Sequence, residues 1–285
     1  PEYGSAKDRL KTPQGISLYK NRTILIADSG NHRLMKCSLR TKETRKLFGK
    51  GILGVELDML ANPSHVIFCK QIKSFIICDY HNRRVLSWSG KRSAKPKILI
   101  GNIGCFAAAL DDKHCLYISV PDQHEVLRFR MGETAGKIVA GGNGQGSRRK
   151  QLNHPTYICV DDDQTLYISD SHNDRVVRWK KGDEKGTVVA GGKGKGRNLE
   201  QLDCPAGVVV DQLGTLYVAD RWNHRIMRYR ENEEPDMIAG DRFLPGSDAS
   251  QLICPEGLLF DRKNNLYVAD SNNHRIQQFQ IKIQR

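Results

Sequence analysis

The sequence lacks the features of a membrane protein and of several common enzyme classes. No apolar run approaches the roughly 18 residues that a membrane span needs, and residues 1–13 are polar, with no secretory signal. There is no Cys-x-x-Cys pair, no His-Glu-x-x-His motif and no Gly-x-Ser-x-Gly elbow. We therefore expect no membrane insertion, no zinc knuckle and no thioredoxin-like, zinc-protease or α/β-hydrolase chemistry.

Acidic residues are scarce in the first third of the chain. Residues 1–100 hold 20 Lys and Arg against 7 Asp and Glu, whereas residues 101–285 hold 25 of each, so the net charge of +13 belongs to the first third. Such a region attracts nucleic acid, anionic lipid or an acidic protein. A merely solubilising surface is the alternative.

The eight cysteines do not fix the redox compartment. Several lie inside apolar strand patterns, where a thiol behaves as a small core side chain. Two pairs are close enough in sequence to be disulfide candidates, Cys69 with Cys78 and Cys105 with Cys115.

A repeat of about 50 residues organises the whole chain. Six segments align: ILIADSGNHRLMKC (24–37), FIICDYHNRRVLSW (75–88), LYISVPDQHEVLRF (116–129), LYISDSHNDRVVRW (166–179), LYVADRWNHRIMRY (216–229) and LYVADSNNHRIQQF (266–279). In most repeats, a proline followed by an apolar run lies about fifteen residues before the fifth position of the segment, which is an Asp in five of the six. The prolines are Pro13, Pro63, Pro155, Pro205 and Pro255.

Each repeat predicts four short strands, which we letter a to d from the strand after the proline. Such strands bury both faces only when successive sheets stack, as in a propeller. A solenoid would need polar capping repeats, and neither end resembles one. We therefore predict an all-β, six-bladed β-propeller with four-stranded blades and a degenerate third blade, in a single domain over residues 1–285. The predicted repeats span 13–51, 63–102, 103–142, 155–192, 205–240 and 255–285.

The motif D-x-x-N-[H/R/D]-R-[I/L/V] after an LYVAD-like strand, with P-x-G-V upstream, resembles the NHL repeat. Asn-His recurs at Asn31-His32, Asn223-His224 and Asn273-His274. The third unit departs from the pattern: Cys105 replaces the proline, and the unit is about nine residues short before strand a. The resemblance implies a propeller that binds a partner. For the NHL domains of tripartite-motif proteins, that partner is RNA.

An Asp at the end of strand b recurs with an Arg at the start of strand c. The third unit has Val120 and Glu125 instead, so both members are lost together. We interpret the pair as a structural clamp, and the loop asparagines as turn residues.

The loops GGNGQG (141–146) and GGKGKG (191–196) open no helix, so we interpret them as flexible connections and not as phosphate cradles. The recurring aromatics at the ends of strand c (Trp88, Phe129, Trp179, Tyr229 and Phe279) predict packing between blades.

Because strands alternate in direction, the d–a and b–c loops share one face. In NHL and other propellers this face commonly holds the binding site around the axis, so the resemblance implies that the site lies there. Aromatic side chains beside arginine on solvent-facing loops suit a protein contact or a stacked base. The alternative is that Trp222 folds over the neighbouring blade. The predicted partner-binding residues are Tyr80, His81, Arg83, Arg148, Arg149, Lys150, Lys193, Lys195, Arg197, Arg221 and Trp222.

The basic residues of the first two blades fall mostly on the other face. The strongest basic region and the expected binding face therefore do not coincide, which argues against a simple RNA platform. These residues are Lys20, Arg22, Arg40, Lys42, Arg45, Lys46, Lys70, Lys73, Lys91, Arg92, Lys95 and Lys97.

A metal-dependent lyase or hydrolase is the minority hypothesis, since some six-bladed relatives hold zinc or calcium near the axis. Such a site needs several His or carboxylates on inner strands. His65, His154 and Glu256 lie near the starts of inner strands, with Tyr157 at a glycine-like position. Two histidines fall short of a zinc set, so we predict no metal, no cofactor and no catalytic residue.

We predict a non-catalytic protein-recognition module of a larger protein, monomeric as an isolated domain. An RNA-binding domain is the first alternative, and a metal-dependent enzyme the second. The sequon Asn21-Arg22-Thr23 favours an extracellular setting.

The sixth blade is predicted to lack an outer strand of its own. In the fifth blade strand d starts about 16 residues after Asp220, and the same distance from Asp270 lies past Arg285. This blade therefore has three strands unless residues 280–285 or 1–6 supply a fourth.

Overall fold

The computed structural model describes residues 4, 6, 9–20, 22–91, 93–133, 135–241 and 244–281. They form 23 β-strands and six single-turn 3₁₀ helices. None of the helices in this part of the chain is long and apolar enough to cross a membrane. Asn21 of the sequon and Arg92 of the basic set lie outside the described residues.

The strands form six antiparallel sheets, each from consecutive strands and one from each repeat. This arrangement confirms the predicted class, an all-β six-bladed propeller. In the described residues, five blades have four strands and the sixth has three. The chain divides into two compact units, residues 1–106 with 256–285 and residues 107–255.

The first unit contains the first, second and sixth blades. Their strands are β1 (Pro13–Tyr19), β2 (Thr23–Asp28), β3 (Arg33–Ser38) and β4 (Thr44–Phe48); β5 (His65–Cys69), β6 (Ser74–Asp79), β7 (Arg84–Trp88) and β8 (Lys97–Ile100); β21 (Pro255–Phe260), β22 (Asn265–Asp270) and β23 (Arg275–Gln280).

The second unit contains the third, fourth and fifth blades. Their strands are β9 (Ala108–Leu110), β10 (Leu116–Val120), β11 (Glu125–Phe129) and β12 (Lys137–Gly141); β13 (Pro155–Val160), β14 (Leu166–Asp170), β15 (Arg175–Trp179) and β16 (Thr187–Gly191); β17 (Pro205–Val210), β18 (Leu216–Asp220), β19 (Arg225–Tyr229) and β20 (Asp236–Gly240).

Every b–c connection is a 3₁₀ turn followed by one residue in the left-handed region. That residue is His, Arg or Asp, with φ between 49° and 56°. Its backbone N–H closes the turn, and the same loop therefore recurs in all six blades. The turns are Ser29–Asn31, Tyr80–Asn82, Pro121–Gln123, Ser171–Asn173, Arg221–Asn223 and Ser271–Asn273.

Strand b is apolar on both faces because sheets cover it from both sides. In β2 the residues Ile24, Leu25, Ile26 and Ala27 are at most 2% exposed. Four of the five aromatics at the ends of strand c are buried, namely Trp88, Phe129, Trp179 and Tyr229, and the ring of Trp88 lies 4.8 Å from that of Phe48 in the preceding blade. Phe279 in the sixth blade is only half-buried.

Both predicted disulfide pairings are wrong. The disulfide joins Cys78 of β6 to Cys105, whose Cα atoms are 5.4 Å apart, a usual disulfide separation. Cys69 and Cys115 remain thiols. Proximity along the chain misled the prediction, because Cys69 and Cys78 lie on neighbouring strands out of register: Ser74 faces Cys69, and His65 faces Cys78.

The sixth blade has three strands among the described residues. Gly4 and Ala6 do not extend it. Their carbonyls accept hydrogen bonds from Asn31 and Arg33, the contacts that a d–a loop makes in other blades. Residues 1–3, 5 and 282–285 lie outside the described part.

Candidate functional site

The Asp–Arg pairs are buried and hold the d–a loops in place. In the fifth blade, Arg225 lies 2.7 Å from Asp220, whose carboxylate is fully buried. The other guanidinium N–H groups of Arg225 donate to the carbonyls of Arg197, Asn198 and Gln201 in the preceding d–a loop. Asn223 donates both to Asp220 and to the carbonyl of Gly196. The pair is therefore a structural clamp.

The same ion pair recurs in five blades, with N–O distances of 2.6 to 2.8 Å. Burial raises the pKa of Asp220 to about 6, although backbone, Arg225 and Asn223 donors all lower it. Burial also raises the pKa of Asp170. These shifts belong to a desolvated clamp and need no catalytic explanation. The pairs are Asp28/Arg33, Asp79/Arg84, Asp170/Arg175, Asp220/Arg225 and Asp270/Arg275.

The third blade lacks the clamp because it has little loop to hold. The arginine of each clamp binds carbonyls of the preceding d–a loop, and this is the loop that is about nine residues short before β9. Val120 is fully buried where the Asp would be, and burial raises the pKa of Glu125 at the Arg position. The joint loss seen in the sequence thus has a structural cause.

A second recurring contact links the b–c loop to the start of the next blade in five of the six blades. The left-handed residue accepts a hydrogen bond from the backbone N–H that precedes strand a. The acceptors are Nδ1 of His32, His124, His224 and His274 and Oδ1 of Asp174, at 2.8 to 3.2 Å. Sequence reasoning missed this link, although the alternation of His and Asp at one position was a signal for it.

The glycine loops are ordered, and their interpretation as flexible connections is wrong. In the loop after β12, Gln145 pairs with Leu152 in a parallel bridge, as Lys195 pairs with Leu202 after β16. Gly146 donates to the carbonyl of Leu152. The arginine and asparagine of the clamp bind the same loops, so their conformation is set by side-chain hydrogen bonds.

Three predicted site residues lie on the b–c loop of the second blade. Tyr80 is half-buried and packs edge-on against Phe106, with ring centroids 5.5 Å apart. His81 and Arg83 are exposed. This loop of the first unit therefore exposes the polar side chains of His81 and Arg83, while the ring of Tyr80 is packed against its neighbour.

The other predicted residues lie in the second unit and divide into two groups. Trp222 is 45% exposed, and the guanidinium of Arg221 lies 5.0 Å from its ring centroid. Arg148, Lys193 and Arg197 are exposed.

Three of the predicted cations already have local contacts. Lys150 pairs with Glu184, Arg149 donates to the carbonyl of Gly186, and Lys195 pairs with Asp203. Lys150 and Arg149 therefore bind the c–d connection of the fourth blade.

The residues of the enzyme hypothesis are divided between the two units. His65 and Glu256 are buried in the first. In the second, Tyr157 is buried and His154 stacks on His172 at 4.3 Å, and burial with this neighbour lowers the pKa of His154. Within the described ranges, no three His, Cys, Asp or Glu side chains are grouped to hold a metal ion.

The feature that sequence reasoning missed is an apolar d–a loop after the first blade. Ile52, Leu53, Val55 and Leu57 are 57%, 63%, 72% and 39% exposed; we call these four residues the apolar loop. The bridge between Leu53 and Leu60 aligns this loop with those containing Gln145 and Lys195. Aligning the d–a loops, in place of the strands, would have revealed it.

The clamp holds the apolar loop rigidly. Arg84 donates to the carbonyls of Val55, Glu56 and Met59 at 2.6 to 3.0 Å, and Asn82 donates to that of Gly54 at 2.9 Å. Because the backbone carbonyls face the clamp, the apolar side chains are left on the solvent side.

Comparison with known proteins agrees with this architecture. The NHL repeat model matches residues 202–229 and 252–279. This chain is an NHL-repeat β-propeller. No curated protein matches it by sequence.

Solved structures similar to this propeller differ in their described roles. A protein of unknown function from Bacteroides thetaiotaomicron is 15% identical, with a TM-score of 0.77, over 97% of this chain and 72% of that one. An auxiliary nutrient binding protein from the same organism is 15% identical, with a TM-score of 0.74, over 95% and 69%. A gluconolactonase from Xanthomonas campestris is 14% identical, with a TM-score of 0.65, over 92% and 84%. At such identities the likeness concerns the fold alone.

Proposed function

We propose that this NHL-repeat propeller is a non-catalytic protein-recognition module that binds its partner through the apolar loop. The observation that carries the proposal is the exposure of Ile52, Leu53 and Val55, each of which is more than half exposed. Clustered exposed apolar side chains on a soluble domain typically mark an interaction site.

The rigidity of the loop favours tight binding. A segment that is already ordered loses little conformational entropy when a partner docks. The Arg84 clamp fixes the backbone from Val55 to Met59, so the side chains are displayed in one arrangement. Apolar anchors of this kind supply much of the binding energy of protein interfaces.

The charge of the loop favours a protein over a nucleic acid. Glu56 and Asp58 lie among the apolar side chains, and Asp58 pairs with Lys50 at 2.9 Å. Carboxylates beside the contact surface repel a phosphate backbone, whereas they suit the polar rim of a protein interface.

The chain itself supplies a conservative test. Replacing Leu53 by Gln and Val55 by Ser installs the residues found at the equivalent positions 145 and 147. We expect the double variant to fold normally and to lose the proteins that the wild type captures from a cell extract, as quantified by mass spectrometry.

Leu213, also exposed (59%) but on an a–b loop, is the matched control. Leu213→Lys, the residue at position 263, should leave capture unchanged. Equal capture by the wild type and the double variant would refute the proposal.

RNA binding is the second candidate, supported by the Arg221–Trp222 contact and by the exposure of Arg148, Lys193 and Arg197 on the d–a loops of the same unit. Stacking plus phosphate contacts is the usual chemistry of single-strand binding. In a screen against random RNA, this candidate predicts an affinity that falls steeply with salt and is lost in Trp222→Ala. Salt-insensitive binding, or binding retained by that variant, would contradict it.

A further inference from the structure

The second unit contains a basic cleft that the proposed function does not use. It lies between the third and fourth blades, where their c–d connections are, and has a volume of about 490 Å³, a usual size for small-ligand sites. Its lining carries five cationic side chains, Arg128, Arg130, Lys137, Lys180 and Lys181, and one carboxylate, Asp183.

None of the five forms an ion pair within the part of the chain that the structure describes. Four are exposed, and Arg128 is half-buried on β11. Several like charges around one cleft repel one another, so a bound anion would relieve an unfavourable arrangement.

The fifth blade shows how the same positions are neutralised elsewhere. There Arg228 faces Asp236 across β19 and β20 and binds it through two hydrogen bonds of 2.9 and 2.6 Å. Arg230 pairs with Glu233 through its guanidinium, whereas the equivalent Glu133 of the third blade accepts a hydrogen bond of 3.1 Å from the backbone N–H of Arg130. In the third blade Arg128 instead faces Lys137 across β11 and β12. Like charges directly opposite each other destabilise a sheet.

Hydrogen bonds within the c–d connection of the fourth blade fix one wall of the cleft. The indole N–H of buried Trp179 donates to the carbonyl of Asp183 at 2.7 Å, and the N–H of Asp183 donates to the carbonyl of Lys180. These contacts fix the turn that carries Lys180 and Lys181 at one side of the cleft.

From this geometry we infer that the cleft between the third and fourth blades binds a small ligand that carries two or more phosphate groups. Arginine suits phosphate through paired N–H donors, and lysine adds point charges. The ligand is either free in solution or the headgroup of a membrane lipid, since both present the same phosphates.

Titration calorimetry with inorganic tripolyphosphate on the whole chain tests this site. We expect one bound ligand per chain, with affinity weakened about tenfold or more in the double variant Arg128→Gln, Arg130→Gln. The control is Arg228→Gln, Arg230→Gln, which removes the same net charge at the equivalent positions of the fifth blade and should bind as the wild type does. Equal weakening in both variants, or no binding, would overturn the inference.

Co-sedimentation with vesicles that contain phosphatidylinositol bisphosphate distinguishes a lipid headgroup from a free ligand as the source of the phosphates. Co-sedimentation that tripolyphosphate displaces supports a lipid headgroup. Absence of co-sedimentation, with tripolyphosphate binding intact, supports a free ligand. Because no residue of the apolar loop takes part, failure of this inference leaves the proposed protein-binding function untouched.

Discussion

Nδ1 of His224 accepts a hydrogen bond of 3.1 Å from the backbone N–H of Cys254, thirty residues later. The equivalent contact recurs at the b–c loops of the first, third, fourth and sixth blades. An accepting Nδ1 carries no proton, so each histidine contact exists only while its imidazole is neutral. In the second blade Arg83 occupies this position, and Ile103 donates to its backbone carbonyl.

We predict that stability falls as the pH drops below about 6.5. Burial lowers the pKa of His32 and of His274 below the usual 6.5. The unfolded chain therefore takes up protons before the folded chain does, so this contribution is fully present above pH 6.5 and is lost as the pH falls below it. Urea unfolding at a series of pH values measures the loss.

The double variant His32→Asp, His274→Asp provides the control for this pH dependence. Asp174 makes the same contact in the fourth blade with a carboxylate, at 2.8 Å. The variant should keep its stability to lower pH than the wild type. If the free energy of unfolding depended on pH in the same way in both proteins, protonation of these two histidines would not be the cause of the loss of stability.

Arg225→Ala should lower the free energy of unfolding by about 3 kcal/mol, because it leaves the fully buried Asp220 without its cation. Thermal and urea unfolding measure the change. The exposed Arg148→Ala is the control and should lie within about 0.5 kcal/mol of the wild type. A variant that melts like the wild type but loses its partner would instead place Arg225 in the binding site.

The repeat made the fold predictable, because the same pattern of apolar strands and turns recurs six times along the sequence, and each copy predicts one blade. The Asp–Arg spacing of five residues also predicted the clamp, since both partners flank one turn. Links between distant segments were not predictable: His224 and Cys254 lie thirty residues apart, and Cys105 bonds to Cys78 and not to Cys115. The apolar loop was missed because loop positions were judged by charge and aromaticity, whereas Leu53 and Val55 carry neither.

Amide hydrogen exchange should be faster in residues 275–280 than in residues 225–230. In the described residues β23 pairs with β22 alone, whereas β19 lies between β18 and β20. Amides on an unpaired strand edge have no hydrogen bond to break before they exchange, and the other amides of an edge strand are exposed by small local openings. Equal protection of the two strands would mean that another segment covers β23.

The central claim is that the apolar loop contacts a protein partner. Exchange footprinting of the chain with and without a captured partner tests it most directly. We predict that protection appears in residues 50–60, around Leu53 and Val55. Protection confined to residues 193–197 and 221–222, with residues 50–60 unchanged, would contradict the claim.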